Sequence, residues 1–158
     1  MINTLQIEYD HLFVPPFLEK KEDPSVPTIE CTIGQRIFHK TFCDIGSGVN
    51  IMSKVMYEYL FGNKPLYPTY MQLQMADQSI QFLEGIAKDI MVRIHDHYAP
   101  TDFMVLDMGE EEDDTPIILG RLFLNTTNAI IYVGSGQVHF QFPREKVHYY
   151  FNSYTTYE

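Results

Sequence analysis

One carboxylate follows an apolar strand in the stretch Thr41-Phe42-Cys43-Asp44-Ile45-Gly46-Ser47-Gly48. The two glycines allow the chain to turn sharply after Asp44 and to hold its carboxylate at a point lined by backbone. Asp-x-Gly is also a frequent turn signature, so the stretch by itself favours an ordinary turn. The flanking sequence is needed to distinguish an ordinary turn from a functional carboxylate site.

Upstream of this stretch the pattern is that of a β-hairpin. Residues 28–33 alternate β-branched and polar side chains, Gly34-Gln35 supplies a turn, and residues 36–43 return as a second strand. The hairpin therefore places Asp44 directly after its second strand.

Downstream of the stretch the apolar residues change to helical spacing. They recur at Met52, Val55, Met56, Tyr59 and Leu60. Ser53 is suited to cap the start of a helix and Gly62 to end it. We therefore predict one helix directly after the Asp44 loop.

The rest of the chain favours short strands. The pattern predicts a hairpin over 71–82 with a polar tip at 76–79, a strand over 86–94, a turn over 95–100, a buried strand over 103–106, an acidic loop over 110–114, an interior strand over 117–121, a brief helix over 122–128, and a hairpin of 130–133 with 138–142. This spacing is typical of an all-β fold with one or two short helices, arranged as a small closed barrel.

Composition limits the partners and the compartment. The 158 residues suit one domain, with 45% hydrophobic and 20% charged residues. A formal net charge of -10 disfavours nucleic acid as a partner. No apolar run is long enough for a membrane span, and residues 1–10 lack the pattern of a secretory signal. We expect Cys31 and Cys43 to be free core thiols of an intracellular, cytoplasmic protein.

Several short motifs share an order and a spacing with a known family. They are Val14-Pro15-Pro16, Cys31-Thr32-Ile33-Gly34, Cys43-Asp44-x-Gly46, Asn50-Ile51-Met52, Ala76-Asp77, Val105-Leu106-Asp107, and Ile118-Leu119-Gly120-Arg121 followed by Phe123-Leu124. Together they resemble the retropepsins, the aspartic proteases of retroviruses and LTR retrotransposons. The plant gypsy-type version is the most similar, over residues 12–142.

The resemblance implies half of an aspartic protease, which becomes an enzyme by pairing with a second copy. Asp44 would be the catalytic carboxylate, within an active-site loop of Ile45, Gly46, Ser47 and Gly48. Gly120 and Arg121 would be structural, and the substrate would be a polypeptide, cut without a cofactor. The expected flap over the substrate consists of Met75, Ala76, Asp77, Gln78, Ser79 and Ile80.

Composition suggests how the chain is divided. Residues 1–27, rich in proline, would be an extended arm, residues 28–143 the retropepsin-like domain, and residues 144–158 an aromatic strand or tail.

Two departures from the family pattern concern the dimer. Ile45 stands where many retropepsins have a hydroxyl residue that bonds to the opposite loop. Gly48 stands where the family has an acidic residue that pairs with the arginine at position 121. Arg121 therefore lacks this partner unless Asp102 or Asp107 takes its place. We therefore expect a weak homodimer, and the alternative is a catalytically weak or inactive interaction module with the same fold.

Other constellations carry less weight. His95 and His97 are two residues apart and could share a metal, but no third ligand has a compatible spacing, so a polar turn is favoured and no metal is expected. Ser47 and Ser135 lie near glycines but not in a Gly-x-Ser-x-Gly elbow, which disfavours a serine hydrolase.

Overall fold

The computed structural model describes residues 26–70, 72–74, 80–107 and 117–151. In chain order its elements are β1 (Thr28–Ile33), β2 (Arg36–Cys43), β3 (Asn50–Ser53), α1 (Lys54–Phe61), β4 (Gln72–Gln74), β5 (Ile80–Ile94), β6 (His97–Leu106), β7 (Ile118–Leu119), α2 (Arg121–Thr126), β8 (Ile130–Tyr132), β9 (Gln137–Gln141) and β10 (Lys146–Tyr150). No helix in these ranges is long and apolar enough to span a bilayer.

Six strands form a closed barrel. The larger sheet has the order β1-β2-β7-β3-β6-β5-β4, and an additional pairing of β1 with β5 closes it. Most pairs are antiparallel, but β2 with β7 and β3 with β6 are parallel. The predicted fold, mainly β with two short helices in a small closed barrel, is confirmed.

The hairpin that leads to Asp44 forms as the alternation predicts. β1 buries every second side chain, from Ile29 to Ile33, and pairs with β2 in a register that places Thr28 opposite Phe42. The turn between them uses Gly34 at a φ of 63°, which a residue with a side chain rarely adopts.

The helix α1 begins and ends where its caps predict. The Ser53 hydroxyl accepts a hydrogen bond from the Met56 amide at 3.0 Å, and Gly62 ends the helix at a φ of 67°. The prediction was wrong for Met52, which lies in β3. Pairing with β6 and β7 holds residues 50–53 extended, and this tertiary contact outweighs the helical spacing.

A two-residue turn joins β5 to β6, so the predicted turn over 95–100 is too long. Ile94 pairs with His97, and His95 adopts a φ of 53° between them. A residue in the left-handed region allows such a tight turn, and His95-Asp96 lacks the Asn-Gly or Asp-Gly pair that signals one. β5 is also longer than predicted because it continues from its pairing with β4.

Two apolar clusters fill the interior. The larger joins the barrel to a second, three-stranded sheet of order β10-β9-β8, and its buried side chains there include Val138, Phe140 and Val147. The smaller surrounds Ile51, Met104 and Ile118 beneath the Asp44 loop. Phe42 and Val49, on either side of the Asp44 loop, belong to this cluster and join the loop to the packed core.

Candidate active site

Asp44 lies one residue beyond β2, at the point where β2 runs beside β7. Its amide donates to the Leu119 carbonyl at 3.0 Å, which extends the parallel pairing by one bond. Its carboxylate Oδ1 accepts from the Gly46 amide at 2.9 Å, and its carbonyl accepts from the Ser47 amide at 3.1 Å. Asp44, a half-buried residue, thus lies on a tight, hydrogen-bonded loop.

Gly46 leaves room for this close approach. A Cβ at that position would lie 3.1 Å from the Asp44 Oδ1. Its amide is already bonded to the same oxygen, so an added methyl group would press on the carboxylate. The neighbouring Ile45 is 64% exposed, and its apolar side chain stands beside Asp44 on the surface of the protein.

The segment that follows β7 braces the Asp44 loop from the other side. The Arg121 amide donates to the Ser47 carbonyl at 2.8 Å, and the Arg121 guanidinium donates to the Ile45 carbonyl at 3.0 Å. The guanidinium thus bonds to backbone of the loop, where the family pattern would provide a carboxylate. Asp102, considered as a substitute partner, accepts from the Asp89 amide.

Gly120 packs directly against the loop backbone. A Cβ there would lie 2.2 Å from the Val49 oxygen and 2.6 Å from the Ser47 oxygen. Contacts that short do not occur, so only glycine fits while the two segments stay in place.

Asn50, for which the motif Asn50-Ile51-Met52 predicts no specific role, links Gly120 beside the Asp44 loop to Asp102 in β6. Its side-chain oxygen accepts from the Gly120 amide at 2.7 Å, and its amide nitrogen donates to the Asp102 carbonyl at 3.1 Å. It is 1% exposed, so each of these bonds satisfies a buried or partly buried polar group. The available signal was a polar residue at the start of the apolar run Ile51-Met52.

Ser47 bonds within its own loop. Its buried hydroxyl donates to the Val49 carbonyl at 2.6 Å. Gly48, beside it, is also buried. Both residues therefore shape the loop backbone that carries Asp44.

The thiols near the loop are neutral. Cys31 and Cys43 are free and buried. Burial raises the pKa of the Cys31 thiol to about 11, although the Thr41 hydroxyl 3.3 Å away opposes the rise. Burial also raises the pKa of Cys43 far above its usual range, and the charges of Cys31 and Asp44 add to this. Neither thiol is ionised at neutral pH, so neither is an activated nucleophile.

The expected flap is only partly within the described residues. Met75, Ala76, Asp77, Gln78 and Ser79 lie outside them, whereas Ile80 is 58% exposed at the start of β5. The strands β4 and β5 that flank this segment pair antiparallel, with Gln72 opposite Phe82 and Gln74 opposite Ile80. The predicted hairpin is confirmed in its strands.

The two histidines considered as metal ligands have other contacts. His97 is hydrogen-bonded to the Glu145 carboxylate and stacks on Phe142, with ring centroids 4.5 Å apart. His95 meets the edge of Tyr149. Among the described residues, no three His, Cys, Asp or Glu side chains lie close enough together to hold a metal ion.

Comparisons with known proteins identify the fold. No protein-family model matches the chain, and no curated protein is similar to it in sequence. The chain is similar in structure to the retroviral protease-like domain of Ddi1 from Leishmania major, with a TM-score of 0.58 and 22% identity over 77% of this chain and 91% of that domain. It also matches the EIAV protease complexed with the inhibitor HBY-793, with a TM-score of 0.46 and 16% identity over 68% of this chain and 92% of that protease. The chain therefore has the fold of retroviral protease-like domains.

Proposed function

We propose that the protein is an aspartic endopeptidase in which two copies each contribute Asp44. The observation that carries this proposal is the placement of Asp44. Asp44 is half-buried, its carboxylate accepts from the Gly46 amide, and Gly120 and Arg121, which follow β7, brace its loop. Bracing from a second segment of the chain holds a reactive group in one position, as a catalytic residue requires.

The chemistry explains why a second copy is needed. Two carboxylates about 3 Å apart cannot both ionise, so the pair shares one proton. The ionised member takes a proton from a water molecule, which attacks the peptide carbonyl, while the protonated member donates to the carbonyl oxygen. Return of a proton to the nitrogen then breaks the C–N bond. One Asp44 cannot act as base and acid in the same step.

The proposed substrate is an extended polypeptide. It would lie across the two Asp44 loops under residues 75–80, and the activity we propose is processing of a polyprotein, as in the gypsy-type elements of plants.

The proposal also assigns the parts of the chain. Residues 28–143 would be the protease domain, residues 1–27 an arm before it, and residues 144–158 the remainder, in which β10 pairs with β9. The buried free thiols favour an intracellular location.

Cleavage of a peptide library tests whether the protein is a protease that depends on Asp44. We expect cleavage by the wild-type protein and none by Asp44→Asn, measured by mass spectrometry from acid to neutral pH. Asp96→Asn is a matched control because it makes the same change at a side chain that is 91% exposed on the β5–β6 turn. Equal cleavage by wild type and Asp44→Asn would refute the assignment.

A second candidate function is an interaction module without useful catalysis. The observation that favours it is Ile45, whose exposed side chain offers no hydroxyl to brace a partner loop. A protein that forms a stable complex but cleaves no peptide at any pH, in wild type and Asp44→Asn alike, would select this candidate.

A further inference from the structure

A cavity of about 550 Å³ opens on the barrel wall, and none of its lining residues belongs to the Asp44 loop or its braces. It lies between the turn after β1, the loop that follows α1, and the strands β5 and β6. The buried Tyr57 forms part of its floor and donates to the Lys64 carbonyl at 3.2 Å, which fixes the loop after α1. The cavity therefore has a fixed wall on that side.

Another part of the lining is the edge of β5 that faces away from β6. This edge contains a bulge at Lys88 and Asp89, where the β5–β6 register shifts and the Asp89 amide donates to the Asp102 carboxylate at 2.9 Å. On the side away from β6, β5 pairs with Tyr67 at Ile86 and with β1 at Val92. Between these points, no strand in the described part of the chain pairs with residues 87–91 on that side. These five residues all line the cavity. An extended chain placed there could form main-chain hydrogen bonds with the backbone of β5 on either side of the bulge, but not with the Asp89 amide, which Asp102 already occupies.

The charge around the cavity is opposite to that of the protein. Its lining includes the cations Lys64, Lys88 and Arg93 and one carboxylate, Asp89, in a chain with a net charge of -10. Within the described ranges, Lys64 and Lys88 form no ion pair, whereas Arg93 lies 3.6 Å from Asp96. Two ammonium groups are thus available to an anionic ligand.

Aromatic rings hold these cations at the rim. The Lys88 ammonium lies 4.7 Å from the centroid of the Tyr67 ring, and the Arg93 guanidinium lies 6.0 Å from that of Tyr98. Tyr67 and Tyr98 are both more than half exposed. Contacts of this kind restrain the long side chains, so that less entropy is lost when a ligand binds.

We propose that this cavity is a docking site for an acidic, extended polypeptide segment, which adds as a short strand to β5 at residues 87–91 while its carboxylates face Lys64 and Lys88. The site does not use Asp44. It would bind a segment of another polypeptide whether or not the protein cleaves peptides.

Fluorescence anisotropy with a defined probe tests the charge requirement. The probe is a fluorescein-labelled octapeptide of alternating Glu and Val, and the protein is the full chain with Asp44→Asn, so that no cleavage occurs. We expect saturable binding that weakens as salt rises, and no binding of the corresponding Lys-Val peptide. Binding to wild type at the same affinity would show that docking and the proposed catalysis are separate.

Charge variants locate the binding. We expect Lys64→Glu with Lys88→Glu to weaken the Kd by about tenfold or more. Lys40→Glu makes the same kind of change at an exposed lysine outside the cavity and should alter the Kd by less than about twofold. Asp89→Asn should tighten binding by about threefold, because Asn retains the polar side chain and tolerates the φ of 55° at this residue. An increase in affinity cannot result from misfolding.

N-methylation of the probe tests strand addition. Methyl groups on alternate amides remove the donors from one edge of the peptide, so one of the two methylated peptides should lose binding and the other should keep it. In NMR spectra the amide shifts should change at residues 87–91. Equal binding of the Lys-Val peptide, a Kd unchanged by the double charge reversal, or shifts confined to residues 44–48 would each overturn the proposal.

Discussion

Replacing Gly120 by alanine should release the brace on the Asp44 loop. The added Cβ would lie 2.2 Å from the Val49 oxygen, so the two backbone segments must separate by at least about 1 Å to reach ordinary contact. The obstacle is backbone on both sides, and no side chain can rotate away. Overpacking of this kind costs about 1–3 kcal/mol, and we expect the upper end, about 3 kcal/mol.

Urea unfolding measures this loss, and thermal unfolding should show a midpoint lower by about 6–12 °C. Peptide cleavage should fall as well, because the Asp44 amide bonds to the Leu119 carbonyl beside the substituted residue. Gly134→Ala is the matched control: a Cβ there meets nothing within 4 Å, so its free energy of unfolding should change by less than about 0.5 kcal/mol. Stability of Gly120→Ala equal to that of wild type would refute the close-packing argument, as would an equal loss in the control.

Three further predictions concern Asn50, Ile45 and Cys31. Asn50→Leu leaves the Gly120 amide and the Asp102 carbonyl without their partner, so the free energy of unfolding measured with urea should fall by about 2–4 kcal/mol. The control Asn63→Leu, at an exposed asparagine, should leave it almost unchanged. Ile45→Thr should tighten the proposed dimer by about 1–3 kcal/mol through two symmetric hydrogen bonds, as measured by sedimentation; a weaker dimer would mean that Ile45 packs against its counterpart. Because burial raises the pKa of the Cys31 thiol from 9.0 to about 11, its contribution to stability is full below pH 9 and is lost as the pH rises toward 11, by up to about 3 kcal/mol. Cys31→Val should remove this decrease in the free energy of unfolding between pH 9 and 11, as measured with urea. A decrease as large as in wild type would contradict the role given to Cys31.

The sequence by itself determined the elements whose signals are local. Alternation and Gly34 determine the first hairpin, and Ser53 and Gly62 determine the bounds of α1, because turns and caps depend on residues close together in the chain. The Asp44-x-Gly46 turn could be read for the same reason. Main-chain geometry and neighbouring side chains are sufficient for these features.

Only the tertiary structure decided what holds the Asp44 loop. Arg121 reaches the Ile45 carbonyl across 76 residues, and Asn50 meets the Gly120 amide across 70. Met52 lies in a strand despite its helical spacing for the same reason, since β3 is paired on both sides. Contacts between distant segments form only when the barrel closes, because the free energy that offsets loop closure comes from burying many strands together. No local pattern in the sequence contains that information.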